Sequence, residues 1–401
     1  MNRSVSLGIL GIVMSLLFAC SPSPATMPDA TVTKPQNTPT KRVNTPTPTT
    51  AQPTPTIVLQ DTQEPSFFAL SEPGPYFPGN RTLTLVDESR DGREVRVKIV
   101  YPAIKENDAK GNLITYNAEA DMSGAPYPII LTGTNSGYRL FQDHLATHGF
   151  VMVTVSFPDF SYEDDWGFYV IDNPRDILFA LDQISSNPPQ GLEGVVDTDH
   201  AGVAGYSSDG LFSLALSGVR IDPEFYLSHC EQGPIIEAAY GAEWYHKYTC
   251  SLAQKWDEFA THAGDEITAG NDGLWQPVTD ERIRAVMPMA PDGAWLYGER
   301  GLALVDRPVL MIAATEDEFI PYQSVIVDIF ELLGTPDKSM ISLIGKTHMD
   351  VEDPEEIKRI RHFATAFFGY HLQGRQEYKE FFSQDYVSQF EDLYWGVYPG
   401  D

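Results

Sequence analysis

Gly205-Tyr206-Ser207-Ser208-Asp209-Gly210 comes close to a G-x-S-x-G turn. Such a turn holds a serine between a strand and a helix, under backbone strain and with its hydroxyl exposed. His200–Tyr206 before it reads as a short buried strand, and Leu211–Leu216 after it as a buried helix. A hydroxyl alone is a weak nucleophile: it needs a base, and the base needs a carboxylate to orient it. The chain supplies these in the order serine, acid, histidine. Asp317 follows the apolar run Pro308–Ala314, within Thr315-Glu316-Asp317, and His348 follows Ser339–Ile344, within Gly345-Lys346-Thr347-His348. We therefore expect Ser207 as nucleophile, His348 as base and Asp317 as orienting acid. Glu316 and Asp350 are the rival carboxylates; Glu316 would need a different side-chain direction, and Asp350 lies too close to His348 along the chain. His362, inside a predicted helix, and His371, placed beyond it, read as structural.

Attack on a carbonyl creates a negative oxygen that needs preorganised donors. The backbone N–H of Ser208 is one candidate. The second is Thr134 or Asn135, in the loop Thr132-Gly133-Thr134-Asn135-Ser136-Gly137, whose small residues suit close approach to a substrate. Asp209 stands where the second glycine of the turn belongs. A carboxylate pointing at the developing oxyanion would destabilise it. Pointing away, it is expected to cap a helix or hold a residue of a covering segment.

These groups need a frame. Arg93–Ala103 alternates, with Val95, Val97, Ile99 and Tyr101 on one face, as a half-buried strand does. Tyr127–Leu131, Phe150–Val155, Arg282–Met289, Pro308–Ala314 and Ser339–Ile344 are short apolar runs of the kind found in central parallel strands. Helices are expected over Leu140–Thr147, from Pro174 through Arg175–Ile184, over Gln323–Leu333 and over Pro354–Phe368. Strand and helix alternating in this way imply a mostly parallel sheet covered on both faces, with reactive groups at the carboxyl ends of strands. Arg220 to about Asp280 breaks the rhythm; it is rich in aromatic residues, including Phe225, Tyr226, Tyr240, Trp244, Tyr245, Tyr248, Trp256 and Trp275. It reads as a helical insertion at about 220–280, either a lid lining a pocket or an excursion with its own small core.

The chain has 401 residues and a formal net charge of −29, which argues against nucleic acid and anionic membrane surfaces as partners. Residues 1–20 read as a lipoprotein signal peptide: Arg3, an apolar run from Leu7, then Leu17-Phe18-Ala19-Cys20, with Cys20 as the lipidated residue. Residues 21–65 are dominated by proline and threonine and are expected to form a solvated, disordered tether. Residues 66–401 then form one α/β domain. This places the protein outside the cytoplasm, anchored to a membrane by its N-terminal lipid alone. Cys230 and Cys250 are expected to be able to pair there. No CxxC or histidine-rich spacing points to zinc, and no cofactor is expected.

With the turn, the strand-end acid and the strand-end histidine in place, the chain resembles bacterial α/β-hydrolases related to plasma-type platelet-activating factor acetylhydrolase and dienelactone hydrolase. The likeness spans about residues 70–395. It includes Gly74-Pro75-Tyr76 with Gly79 and Arg81, Asp87-Glu88-Ser89-Arg90, Val100-Tyr101-Pro102-Ala103, His148-Gly149-Phe150, Asn173-Pro174-Arg175-Asp176, Leu181-Asp182 and Asp197-Thr198-Asp199-His200. The resemblance implies an α/β-hydrolase fold, a mostly parallel central sheet with helices on both faces. It also implies a serine esterase working through an acyl-enzyme on short acyl esters, the acetyl ester of a phospholipid among them. Such proteins usually carry His-Gly in the oxyanion loop and Gly-His-Ser-x-Gly-Gly at the turn, where this chain has Thr132-Gly133, Tyr206 and Asp209. Those departures motivate the alternative, a binding protein on a hydrolase scaffold.

Overall fold

A computed structural model describes residues 67–134, 136–141, 143–157, 168–233, 246–247 and 249–400. The signal peptide with Cys20, the tether, Asn135, Tyr240, Trp244, Tyr245 and Tyr248 lie outside the described residues.

One nine-stranded sheet organises the domain. Its strands are β1 (Phe77–Asp87), β2 (Arg93–Ala103), β3 (Tyr127–Gly133), β4 (Val151–Ser156), β5 (Val196–Tyr206), β6 (Ile283–Met289), β7 (Val309–Ala314), β8 (Lys338–Leu343) and β9 (Leu393–Trp395). They lie side by side in the order β1-β2-β4-β3-β5-β6-β7-β8-β9. The run from β4 through β3, β5, β6, β7 and β8 is parallel, and antiparallel pairs close both ends. The main helices among the described residues are α1 (His144–Thr147), α2 (Tyr169–Ser186), α3 (Ser208–Ala215), α4 (Pro223–Glu231), α5 (Trp256–Ala263), α6 (Ala294–Leu302), α7 (Val327–Leu332) and α8 (Pro354–Gln373), with further single turns at Asp265–Thr268 and Gln384–Val387. The chain is thus α/β with a mostly parallel sheet. Every residue of β3 and β7 is buried, as expected of strands covered on both faces.

Several boundaries move from expectation. Helix α2 starts at Tyr169 rather than at Pro174, which sits inside it. Proline there removes one N–H from the helical ladder. Burying Tyr169, Val170 and Ile171 favours the longer helix. The segment expected as one helix over Leu140–Thr147 divides into a π-helical turn, Ser136–Phe141, and α1. Likewise a π-helical turn, Tyr322–Ile326, precedes α7. Helix α8 continues to Gln373 and so includes His371. Strand β1 pairs with β2 along its whole length, from Phe77 opposite Ala103 to Asp87 opposite Arg93. Its Pro78-Gly79-Asn80 start imitates a turn; yet a side chain at Gly79 would meet the Cβ of Ala103 at 2.7 Å, so glycine serves the close approach of the two strands.

Tyr226 of α4, Trp256 and Phe259 of α5 and Trp275, all in the insertion, gather with Trp295 of α6 in one cluster, with neighbouring ring centroids 5.1–5.6 Å apart. Tyr226 and Phe259 are wholly buried. These rings form a core continuous with α6. Cys230 and Cys250 are joined by a disulfide. Helix α5 also reaches α2: His262 stacks on Phe168 and lies 2.9 Å from the Asp172 carboxylate.

Asp176 ties α2 to the sheet edge. It is wholly buried, takes a bidentate pair from Arg93 at 2.8–2.9 Å, and has Arg90 Nη2 at 2.7 Å. Asp176→Ala would leave two largely buried guanidinium groups without their shared counter-charge. The expected loss is about 3–5 kcal/mol, read as a lower urea midpoint at unchanged m-value.

Candidate active site

Strand β5 ends at Tyr206, and α3 begins at Ser208. Ser207 occupies the turn between them with φ 59° and ψ −121°. A side-chain-bearing residue at positive φ costs roughly 1–3 kcal/mol, which the surrounding structure must sustain. Here Ser207 N–H donates to Met289 O at the end of β6 (3.0 Å), and Ser207 O accepts from Leu211 N–H in α3 (3.0 Å). The tight turn explains both flanking glycines. A Cβ on Gly205 would lie 2.1 Å from Asp209 O, and one on Gly210 would lie 2.4 Å from Met289 O.

The parallel neighbours β7 and β8 deliver the other two groups to the same edge. His348 Nε2 lies 3.1 Å from Ser207 Oγ. His348 Nδ1 lies 2.7 Å from Asp317 Oδ2. The second oxygen of Asp317, Oδ1, accepts the backbone N–H groups of Phe319 (2.9 Å) and Ile320 (2.7 Å). The Asp317 side chain is wholly buried. Its two oxygens thus have separate duties: one is locked to the backbone, and the other faces the imidazole. With a carboxylate on Nδ1, that nitrogen carries the proton, and Nε2 is free to accept one from Ser207.

Three residues that spacing did not point to hold His348. Tyr206 O–H donates to His348 O at 2.6 Å, and its ring lies 4.8 Å from the imidazole. Burial, reinforced by the nearby Asp317, pushes the Tyr206 phenol well above its ordinary range, so it stays protonated and keeps donating. Glu318 Oε2 accepts His348 N–H at 2.9 Å, and the Phe319 ring packs 5.1 Å from the imidazole. Adjacency to Ser207 and Asp317 was the one available signal for Tyr206 and Glu318.

The rivals are engaged elsewhere. Asp350 accepts Thr347 N–H at 2.8 Å, closing its own turn. Glu316 is instead exposed to solvent, and its backbone N–H donates to Lys346 O. His362 is buried in α8, where Nδ1 accepts Leu70 N–H at 3.1 Å, and His371 packs on Phe367 and Tyr370.

Ser208 N–H, at the first position of α3, has no acceptor within its own helix and sits at the positive end of the helix dipole. Thr134 closes the end of β3, its hydroxyl donating to Val155 O at 3.2 Å. The structure places both beside the turn through β5, whose parallel neighbour is β3. Asp209 is buried in the first turn of α3. Its carboxylate reaches across to the β3 loop, where Oδ2 accepts Ser136 N–H at 2.8 Å.

No family model matches the chain. A comparison with curated proteins likewise finds no match.

His229, His246 and Cys250 bring three donor atoms within 4.8 Å of one another. The Cys250 sulfur is bonded to Cys230, which leaves two imidazoles and no thiolate to hold a metal ion.

Proposed function

We propose that this protein is a serine hydrolase of the α/β-hydrolase fold that cleaves short acyl carboxylic esters. The observation that carries the reading is the continuous chain Ser207 Oγ–His348 Nε2, His348 Nδ1–Asp317 Oδ2, at 3.1 and 2.7 Å, with Ser207 on a strained strand-to-helix turn. Ser207 Oγ attacks the ester carbonyl while His348 Nε2 takes its proton. The carbonyl π-electrons move to oxygen, where the N–H of Ser208 and a donor from the Thr134 loop receive the charge. Collapse expels the alcohol, which takes the proton back from His348. Water then repeats the sequence on the acyl-enzyme and releases the acid. Asp317 orients His348 and balances its transient positive charge.

The preference for short acyl groups, including the acetyl ester of a phospholipid, rests on the resemblance to acetylhydrolases. The same reading makes the segment around residues 220–280 a covering element over the pocket. It also makes the protein an extracytoplasmic lipoprotein anchored through Cys20 on a proline-rich tether.

An alkyl fluorophosphonate probe tests the nucleophile. The wild-type domain should label stoichiometrically, and Ser207→Ala should not label at all. Equal labelling of both, or of neither, would remove Ser207 from the reaction. Acyl-length profiling with p-nitrophenyl esters should then show turnover falling as the chain lengthens beyond a few carbons.

A further inference from the structure

Asp209 is the feature of the turn that the proposed chemistry does not use. It is 3% exposed, yet it occupies a position that the turn geometry crowds. Its Oδ2 accepts the N–H of Ser136. Ser136 is wholly buried, and its Oγ in turn accepts the N–H of Tyr206 at 2.8 Å, immediately before the nucleophile. The loop after β3 is thereby tied to the elbow twice, once through the Asp209 side chain and once through the Ser136 side chain. Thr134, the candidate second oxyanion donor, lies between this double tie and its own bond to Val155 O.

The space for the carboxylate comes from Gly133. A Cβ there would lie 1.9 Å from Asp209 Oδ1 and 2.4 Å from its Cγ. Gly133 is not among the glycines with positive φ, so its backbone would accept an alanine. The three atoms nearest to such a Cβ all belong to the Asp209 side chain, which makes the severest conflict removable.

Resting on the hydrolase reading above, we propose that Asp209 is a positioning residue for the oxyanion loop, and that Gly133 and Asp209 form a matched pair. The aspartate stands in for the usual elbow glycine by trading an empty space at position 209 for an empty space at position 133. Its charge is directed into the Ser136 N–H and sits in the first turn of α3, where the helix dipole favours an anion. In this arrangement the carboxylate acts by fixing where the loop's N–H groups point and makes no contact with substrate.

The experiment is a double-mutant cycle on Gly133→Ala and Asp209→Ala, with p-nitrophenyl acetate turnover, fluorophosphonate labelling rate and melting temperature as readouts. Gly133→Ala should displace the carboxylate and the loop, and lower kcat about 10²-fold, the order seen when one oxyanion donor is lost, with little change in KM. Asp209→Ala should lower kcat by roughly tenfold for the same reason, the loop being loosened and not pushed aside. The double variant should return to the Asp209→Ala level, because the clash is gone. Asp209→Asn, which keeps an acceptor for Ser136 N–H, should lie nearer to wild type than Asp209→Ala. Additive losses in kcat would overturn the pairing. A cycle coupled in melting temperature but flat in kcat would reduce Asp209 to a packing residue and overturn the positioning role. Absence of labelling in the wild type would instead overturn the hydrolase reading, and the positioning role with it.

Discussion

Asp317→Asn should lower ester turnover about 10⁴-fold while leaving KM and the melting temperature nearly unchanged. The magnitude is that of the corresponding substitution in a serine-protease triad. The expectation that it applies here comes from how the two oxygens of Asp317 are used. Oδ1 is held by the N–H groups of Phe319 and Ile320, so an asparagine must leave its carbonyl oxygen there. Its amide NH₂ then faces His348 Nδ1, where Asp317 Oδ2 now lies at 2.7 Å. Two N–H groups cannot face each other, so Nδ1 must become the unprotonated nitrogen. The proton moves to Nε2, which can no longer accept one from Ser207 3.1 Å away. The imidazole stays in place, still held by the Tyr206 hydroxyl and the Glu318 carboxylate through its own backbone. Steady-state kinetics alongside thermal denaturation check this. A loss below tenfold would mean that Asp317 does not set the tautomer.

Mild acid should destabilise the domain through two buried imidazoles remote from the reaction. His144 Nε2 contacts Leu70 O at 2.9 Å and Thr365 Oγ1 at 3.1 Å. Leu70 N–H donates to His362 Nδ1 at 3.1 Å. The two rings therefore clamp one residue of the N-terminal segment by both its backbone groups. Burial pushes His144 down to about 3, with His148 and Arg361 adding repulsion. Burial likewise pushes His362 to about 3, with His148 as its charged neighbour. His362 also stacks on Tyr386 and lies edge-on to Phe68, rings that offer a cation no counter-charge. Because the folded values lie below the unfolded imidazole's 6.5, the unfolded chain takes up these protons first. Their contribution is complete above pH 6.5 and is lost as the pH falls toward 3. At pH 5 each histidine should cost about 2 kcal/mol of stability relative to neutral pH. Urea denaturation at pH 7.5 and pH 5 reads the difference. In His362→Asn, which keeps an acceptor for Leu70, that difference should shrink by about 2 kcal/mol, one histidine's share, even if the variant is less stable at both pH values. An unchanged difference would assign the acid sensitivity to other groups. Amide exchange around Leu70 should rise before the sheet opens.

Much of this arrangement could be read from residue order. Apolar runs of strand length announced the central strands, because a strand buried on both faces must be apolar throughout. Asp317 and His348 stood out because each follows such a run, and the carboxyl ends of parallel strands share one edge. Strand β1 leaves no such run, because it lies at the sheet edge and opens with turn-forming residues. Strand β9, Leu393–Trp395, is too short to show a period. Helix α2 starts upstream of Pro174 because the burial of Tyr169, Val170 and Ile171 outweighs the preference of proline for a helix's first turn.

What residue order settled by itself was the alternation of strand and helix, and with it which residues gather at one end of a parallel sheet. That follows from local periodicity, a property of neighbours along the chain. Only the tertiary structure decided the distances among Ser207, His348 and Asp317, the pairing of Cys230 with Cys250, and the direction of Asp209. The last of these depends on a glycine 76 residues earlier in the sequence, brought against it by the pairing of β3 with β5. Steric fit between residues so far apart leaves no periodic trace in the chain, and so it becomes visible only once the sheet has formed.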